Sequence, residues 1–123
     1  MPQKNMNQTI KTDRRITLIG KNGQAVGRLV DLSLKEAGIT TPRGARVGTE
    51  LELVFELPAL EQFITLRIKS TVTHRHNSSD SIYLKFRFGE LSKIDAAALE
   101  DFVGYKLRLL AVGRKQSKHR LNY

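Results

Sequence analysis

Asp31 and Ser33, within Val30-Asp31-Leu32-Ser33-Leu34-Lys35-Glu36-Ala37-Gly38-Ile39, and the Arg14-Arg15 pair upstream are the residues whose types and spacing suit ligand chemistry. Side chains at i and i+2 of a strand project to one face, so Asp31 and Ser33 would form one small hydrogen-bonding platform. An ionised Asp only accepts, which suits a planar N–H/NH2 edge such as that of guanine, and a Ser hydroxyl can donate to a phosphate or a carbonyl. Guanidinium groups bind phosphate bidentately and stack on bases, so Arg14 and Arg15 on a mobile arm could close over such a ligand. A plainer reading stands beside this one: a turn whose Asp and Ser cap their own backbone, preceded by a solvated basic junction. His74 and His76 can face one way at a strand end, but two metal ligands without a nearby third make a poor site.

The elements that must position these residues read mainly as strands. Residues 15–20 form a β-branched run, Lys21-Asn22-Gly23 is a hairpin signal because Asn and Gly tolerate positive φ, and residues 24–32 follow as a second strand. That strand places Val26, Arg28, Val30 and Leu32 on one face and Ala25, Gly27, Leu29, Asp31 and Ser33 on the other. Residues 37–40 make a short third strand, ended by Pro42 and Gly44. Residues 51–57 alternate Leu51, Leu53, Phe55 and Leu57 with Glu50, Glu52, Val54 and Glu56, and Pro58-Ala59-Leu60-Glu61 turns the chain back. Residues 63–73 and 82–88 alternate again, the latter with Ile82, Leu84, Phe86 and Phe88 inward and Tyr83, Lys85 and Arg87 outward. Short strands at regular turn spacing imply an antiparallel barrel. The period then changes: Ser92 with Asp95 is a helix cap signature, and Leu99, Phe102, Val103, Leu107 and Leu110 form a stripe at helical spacing, with Gly113 as the stop.

The chain has 123 residues, 40% of them hydrophobic, which fits one domain with a modest core. It holds no cysteine, so a disulfide framework and thiolate metal sites are excluded, and a reducing cytoplasm suits it. No secretory h-region or span-length apolar run is present, so no signal peptide or membrane span is expected. The formal charge is +9, of which residues 1–15 hold +3 and residues 114–123 hold +4, leaving the body near balance. Basic ends on a balanced body imply an anionic partner. A P-loop, dinucleotide loop, nucleophile elbow, H-E-x-x-H and a cysteine nucleophile are all missing, which argues against an enzyme.

The run Gly27-Arg28-Leu29-Val30-Asp31-Leu32-Ser33-Leu34, followed by Gly38-Ile39, resembles the D-x-S-x-x-G signature of PilZ domains, bacterial receptor modules for cyclic di-GMP. Residues 81–88 and 91–103 resemble that family's final strand and closing helix, so the resemblance spans residues 14–106. Two positions depart from the pattern. Glu36 stands where the family glycine falls, with Gly38 two residues on, and the upstream R-x-x-x-R is replaced by Lys11 with Arg15 and the adjacent Arg14. The resemblance implies a six-stranded antiparallel β-barrel, Greek-key and split-barrel-like, with a C-terminal α-helix. Composition and the lack of periodicity at both ends mark a flexible basic arm over residues 1–14 and a basic tail over residues 113–123, with the barrel and helix over residues 15–112 between them. The resemblance further implies a cyclic di-GMP site in which Arg14 and Arg15 clamp, Asp31 and Ser33 orient guanine and phosphate, and Gly38 admits a close approach. Such a protein would act in the cytoplasm through a protein partner in motility, pilus or biofilm control, with no cofactor and no metal. The first alternative is a degenerate PilZ module that binds no nucleotide and serves as an adaptor. The second is an oligonucleotide-binding barrel, which the basic ends favour and the lack of outward aromatics beyond Tyr83 opposes.

Overall fold

The computed structural model describes residues 8–120, with side chains as far as Gly113. Six strands precede one helix: β1 (Ile10–Gly20), β2 (Gly23–Leu32), β3 (Glu36–Thr41), β4 (Glu50–Ala59), β5 (Gln62–Asn77), β6 (Ile82–Phe88) and α1 (Lys93–Arg120). All pairings are antiparallel, and the strands close into a barrel in the order β1-β2-β3-β6-β5-β4. With β4 beside β1 and β1-β2-β3 joined in sequence, the topology is a Greek key, and the β3–β4 connection crosses one barrel end.

Alternation builds the interior. Leu53, Phe55 and Leu57 of β4, Leu66, Ile68 and Val72 of β5, and Leu84 and Phe86 of β6 are buried, as their spacing requires. Ala98, Leu99, Phe102 and Val103 of α1 join the same core, the helix packing on β4, β5 and β1. Ser92 caps the helix: its Oγ accepts from the Asp95 N–H at 3.1 Å, and its carbonyl accepts from the Ala96 N–H at 2.9 Å.

Three boundary expectations and one packing expectation are corrected. β1 starts at Ile10, not at Arg15, so the last part of the expected arm is barrel wall. Ile10 is 1% exposed and pairs with Leu32, which anchors a stretch whose other side chains are mostly polar. Pro58 lies inside β4, beyond Phe55, the last residue paired with β1, so its missing N–H breaks no ladder there. The turn is instead Leu60-Glu61, both at positive φ (55° and 63°), with the Leu60 N–H donating to Asp101 Oδ2 at 2.9 Å. Finally, α1 runs through Gly113 to Arg120. One interior glycine costs a helix only about 1 kcal/mol, and no proline follows to end it. Leu110, expected on the packed stripe, is 47% exposed because the barrel does not reach that far along the helix.

Phe102 fills the core under the helix, so Phe102→Ala should cost about 3–5 kcal/mol of unfolding free energy. Ser92→Ala removes one cap and should cost about 1 kcal/mol. Urea melts of both variants check this ordering, and comparable losses would contradict it.

Candidate functional site

The site begins with an extra residue. Along β2, Leu29 pairs with Ile39 and Asp31 with Gly38, so two steps on β2 match one on β3 and Val30 is a β-bulge. The β1 register slips at the same place, between Lys11 and Arg14. Leu29 and Leu32 are both buried, and the half-exposed Val30 and Asp31 lie between them. The bulge therefore takes Asp31 off the buried face that simple alternation assigns it, the one carrying Gly27 and Leu29.

Two strands then hold the Asp31 carboxylate. Lys11 Nζ of β1 donates to Oδ1 at 2.6 Å, and the Tyr83 hydroxyl of β6 donates to Oδ2 at 2.8 Å. Burial pushes the Asp31 carboxyl upward, but hydrogen bonds from Lys11 and Tyr83 and the charges of Lys11 and Lys85 outweigh it and leave the group below its ordinary value. Tyr83 moves the other way, to about 12, through burial, its hydrogen bond to Asp31, and the negative charges of Asp31 and Glu36. At neutral pH the phenol is a fixed donor and the carboxylate a fixed acceptor. Gly38 makes the contact possible, since a Cβ there would collide with the Tyr83 hydroxyl and lie 2.7 Å from Asp31 Oδ2. The close approach expected at Gly38 is thus made by the chain's own side chains.

Ser33 follows β2 and is buried. Its Oγ accepts from the Glu36 N–H at 3.1 Å and from the Lys35 N–H at 3.3 Å, while its own hydroxyl reaches the Glu36 carbonyl only at 3.5 Å. Ser33 lines a hollow of about 320 Å³ with Leu34, Lys35, Glu36 and Arg87. Asp31 lines a neighbouring one of about 120 Å³ with Lys11, Glu36, Gly38, Tyr83 and Lys85 among others. Glu36 is the residue common to both, so the expected single platform is two adjoining hollows. The Glu36 carboxylate pairs with Lys85 Nζ at 3.4 Å, which offsets its repulsion of an anion.

The two arginines part company, because neighbours on a strand face opposite sides. Arg14 Nε donates to the Glu56 carbonyl at 2.9 Å, and its guanidinium lies 5.9 Å from the centre of the Phe102 ring. Arg15 is exposed, opposite Arg28. Neither lines the hollows around Asp31 and Ser33, where Lys11 is the β1 cation instead. Sequence reasoning missed Tyr83 and Lys85 as site residues. Their one signal was an outward place on the last strand, and only the β3–β6 register puts them beside Gly38. Among the described residues, no group of three or more His, Cys, Asp or Glu gathers to hold a metal, and His74 and His76 are exposed.

Residues 4–105 match the PilZ domain family model. The chain belongs to the PilZ domain family. This PilZ chain is similar in structure to the Bacillus subtilis inhibitor of motility MotI/DgrA, with TM-score 0.73 and 15% identity over 86% of this chain and 51% of that one. It is similar to the PilZ domain with c-di-GMP of YcgR from Escherichia coli, with TM-score 0.65 and 15% identity over 89% of this chain and 94% of that one. The Escherichia coli YcgR complex with c-di-GMP gives TM-score 0.55 and 14% identity over 93% and 47% of the two chains. The PilZ chain spans about half the length of MotI/DgrA and of that YcgR chain. No curated protein matches its sequence.

The Asp31–Tyr83 contact predicts two pH limits. Unfolded Tyr83 ionises near its ordinary 10.0 and folded Tyr83 near 12, so the contribution is complete below pH 10 and is lost as pH rises towards 12. Asp31 has a depressed value, so its contribution is present above its ordinary 3.8 and is lost on acidification below it. Tyrosinate absorbance of the native protein and of Tyr83→Phe should differ by one phenol titrating near pH 12. A Tyr83 that titrates with an exposed phenol would show the contact to be absent in solution.

Proposed function

We propose that this PilZ domain is a cyclic di-GMP receptor that passes the signal to a protein partner in motility, pilus or biofilm control. The carrying observation is the ionised Asp31 fixed over Gly38 by Tyr83, with Lys11, Lys35, Lys85 and Arg87 around the same two hollows. In this reading Asp31 accepts from the N–H/NH2 edge of a guanine, in place of Lys11. Lys11, once displaced, is left free for a phosphate. Ser33 gives its weakly engaged hydroxyl proton to the ligand, since a 3.5 Å contact holds it little. Gly38 keeps the ground beneath clear. Among the described residues Arg15 has no side-chain partner and can turn to the ligand, whereas Arg14 must first release Glu56 and Phe102. Membership of a family of binding and adaptor modules, and fold neighbours described as a motility inhibitor and as c-di-GMP complexes, support the reading. Among the described residues no helix is long and apolar enough to cross a membrane.

A second reading, an adaptor that binds no nucleotide, draws on two of the same contacts. Lys11 already occupies Asp31, and Arg14 is already committed to the barrel and the helix.

Calorimetric titration with cyclic di-GMP separates the two. Under the receptor reading the wild type binds, Asp31→Ala weakens binding by about 1–3 kcal/mol through loss of a two-point guanine contact, and Arg15→Ala also weakens it. Glu36→Gln should strengthen it by no more than about 1 kcal/mol, because Lys85 already compensates the charge. Folded wild type that takes up no nucleotide would establish the adaptor reading, and binding indifferent to Asp31→Ala would move the site elsewhere.

A further inference from the structure

The register lines up the outward side chains around Asp31 in ranks across the strands. Lys11 stands opposite Asp31, Asp31 opposite Gly38 and Gly38 opposite Lys85, while the next rank towards Ser33 sets Glu36 opposite Arg87. Directly opposed side chains are about 5 Å apart at Cβ, so Glu36 and Arg87 have the arrangement in which opposite charges ordinarily pair. They do not pair here. Gly38 offers Lys85 no side chain, and Lys85 reaches diagonally to Glu36, with Nζ 3.4 Å from Oε1. Lys11 answers Asp31, so both acids of the corner are matched by other cations. Lys35 and Arg87 are left over: both side chains are exposed and, among the described residues, neither has an ion pair or a side-chain hydrogen bond.

The surplus is gathered on one hollow. Arg87 and Lys35 line the space of about 320 Å³ that Ser33 also lines, and the Ser33 hydroxyl proton is held only by a 3.5 Å contact. That volume is at the lower end for a ligand site. A guanidinium with no carboxylate to satisfy, a weakly engaged hydroxyl and an ammonium at one hollow form a donor set for a phosphate, which takes a guanidinium on two oxygens. Arg14 of β1 is already committed to Glu56 and Phe102. Arg15 stands opposite Arg28, itself opposite Thr40, two residues from Gly38 on the side away from Glu36. Arg15 and Arg87 therefore approach Asp31 from opposite sides. We propose that Arg87 on β6, and not a β1 arginine, is the phosphate-binding residue on the Ser33 side of the corner, with Lys35 as a weaker second cation. This assignment rests on the receptor reading and adds to it a residue outside the D-x-S-x-x-G and R-x-x-x-R patterns.

Calorimetric titration with cyclic di-GMP tests the assignment through two substitution cycles. Arg87→Gln should weaken binding about tenfold or more, the size of one lost charge-assisted contact, and Arg87→Lys should recover part of the loss. Lys85→Gln should weaken binding for a different reason, because it exposes the ligand to an unmatched Glu36. Adding Glu36→Gln should therefore restore binding in the Lys85→Gln background and leave the Arg87→Gln loss in place. Thermal melts of Arg87→Gln should match the wild type, since this side chain is exposed and unpaired among the described residues. Affinity undiminished by Arg87→Gln in a chain whose wild type binds overturns the assignment and leaves the receptor reading standing. So does an Arg87→Gln loss that Glu36→Gln restores, which would reduce Arg87 to a neutraliser of Glu36. Folded wild type that takes up no nucleotide removes the receptor reading and this assignment together.

Discussion

Closure of the barrel is the constraint on which the other features depend. With β1 paired to both β2 and β4, and β3 to both β2 and β6, every strand has two neighbours, and the seam is open only where β1 and β4 run beyond their paired residues 16–19 and 52–55. Recognition then falls mainly to side chains released by irregularities. One group of such side chains lies where β1 and β2 slip together beside Val30. The bulge sacrifices ladder regularity and in return turns a carboxylate outward from between two buried leucines.

That carboxylate is held in a defined chemical state. A phenol that ionises near 12 keeps its proton in the neutral range and goes on donating it to Asp31, and a carboxylate stabilised by two donors does not readily take a proton. The corner therefore presents a fixed pattern of acceptance on Asp31 and donation from Tyr83, Lys11 and Lys85. A ligand matched to it brings its own N–H groups to Asp31 and its own anions to the lysines. One lacking N–H groups would leave Asp31 to Lys11 and gain little. Selectivity of this kind rests on unpaired polar groups more than on shape.

Much of this was legible in the sequence. The alternation of β4 and β5 showed which side chains are buried, and Ser92 with Asp95 marked the helix start, because both signals are local. Asp31, Ser33 and Gly38 stood out by spacing, and the structure brings Asp31 and Gly38 into register. The facing of Asp31 was not legible, since one inserted residue reverses the parity of all that follow. Arg14 looked like a free clamp because sequence does not show a carbonyl and an aromatic ring arriving from residues 56 and 102. Tyr83 was hidden for the same reason, its partner lying fifty-two positions away in the chain.

The seam between β1 and β4 gives α1 a mechanical character. Arg14 of β1 bonds the Glu56 carbonyl of β4 and lies over Phe102, while Asp101 holds the Leu60 amide at the end of the same strand, so polar contacts fasten the helix to the seam within the stretch that packs on the core. From Phe102 to Arg120 it runs about 27 Å, and a rod fixed at one end magnifies what happens at its base. A pivot of about 10° at the seam would carry the tip about 5 Å, enough to change which neighbour it reaches. Lys11, on Asp31, lies on β1 only three residues from Arg14, so a single strand carries both the polar corner and the attachment of the helix.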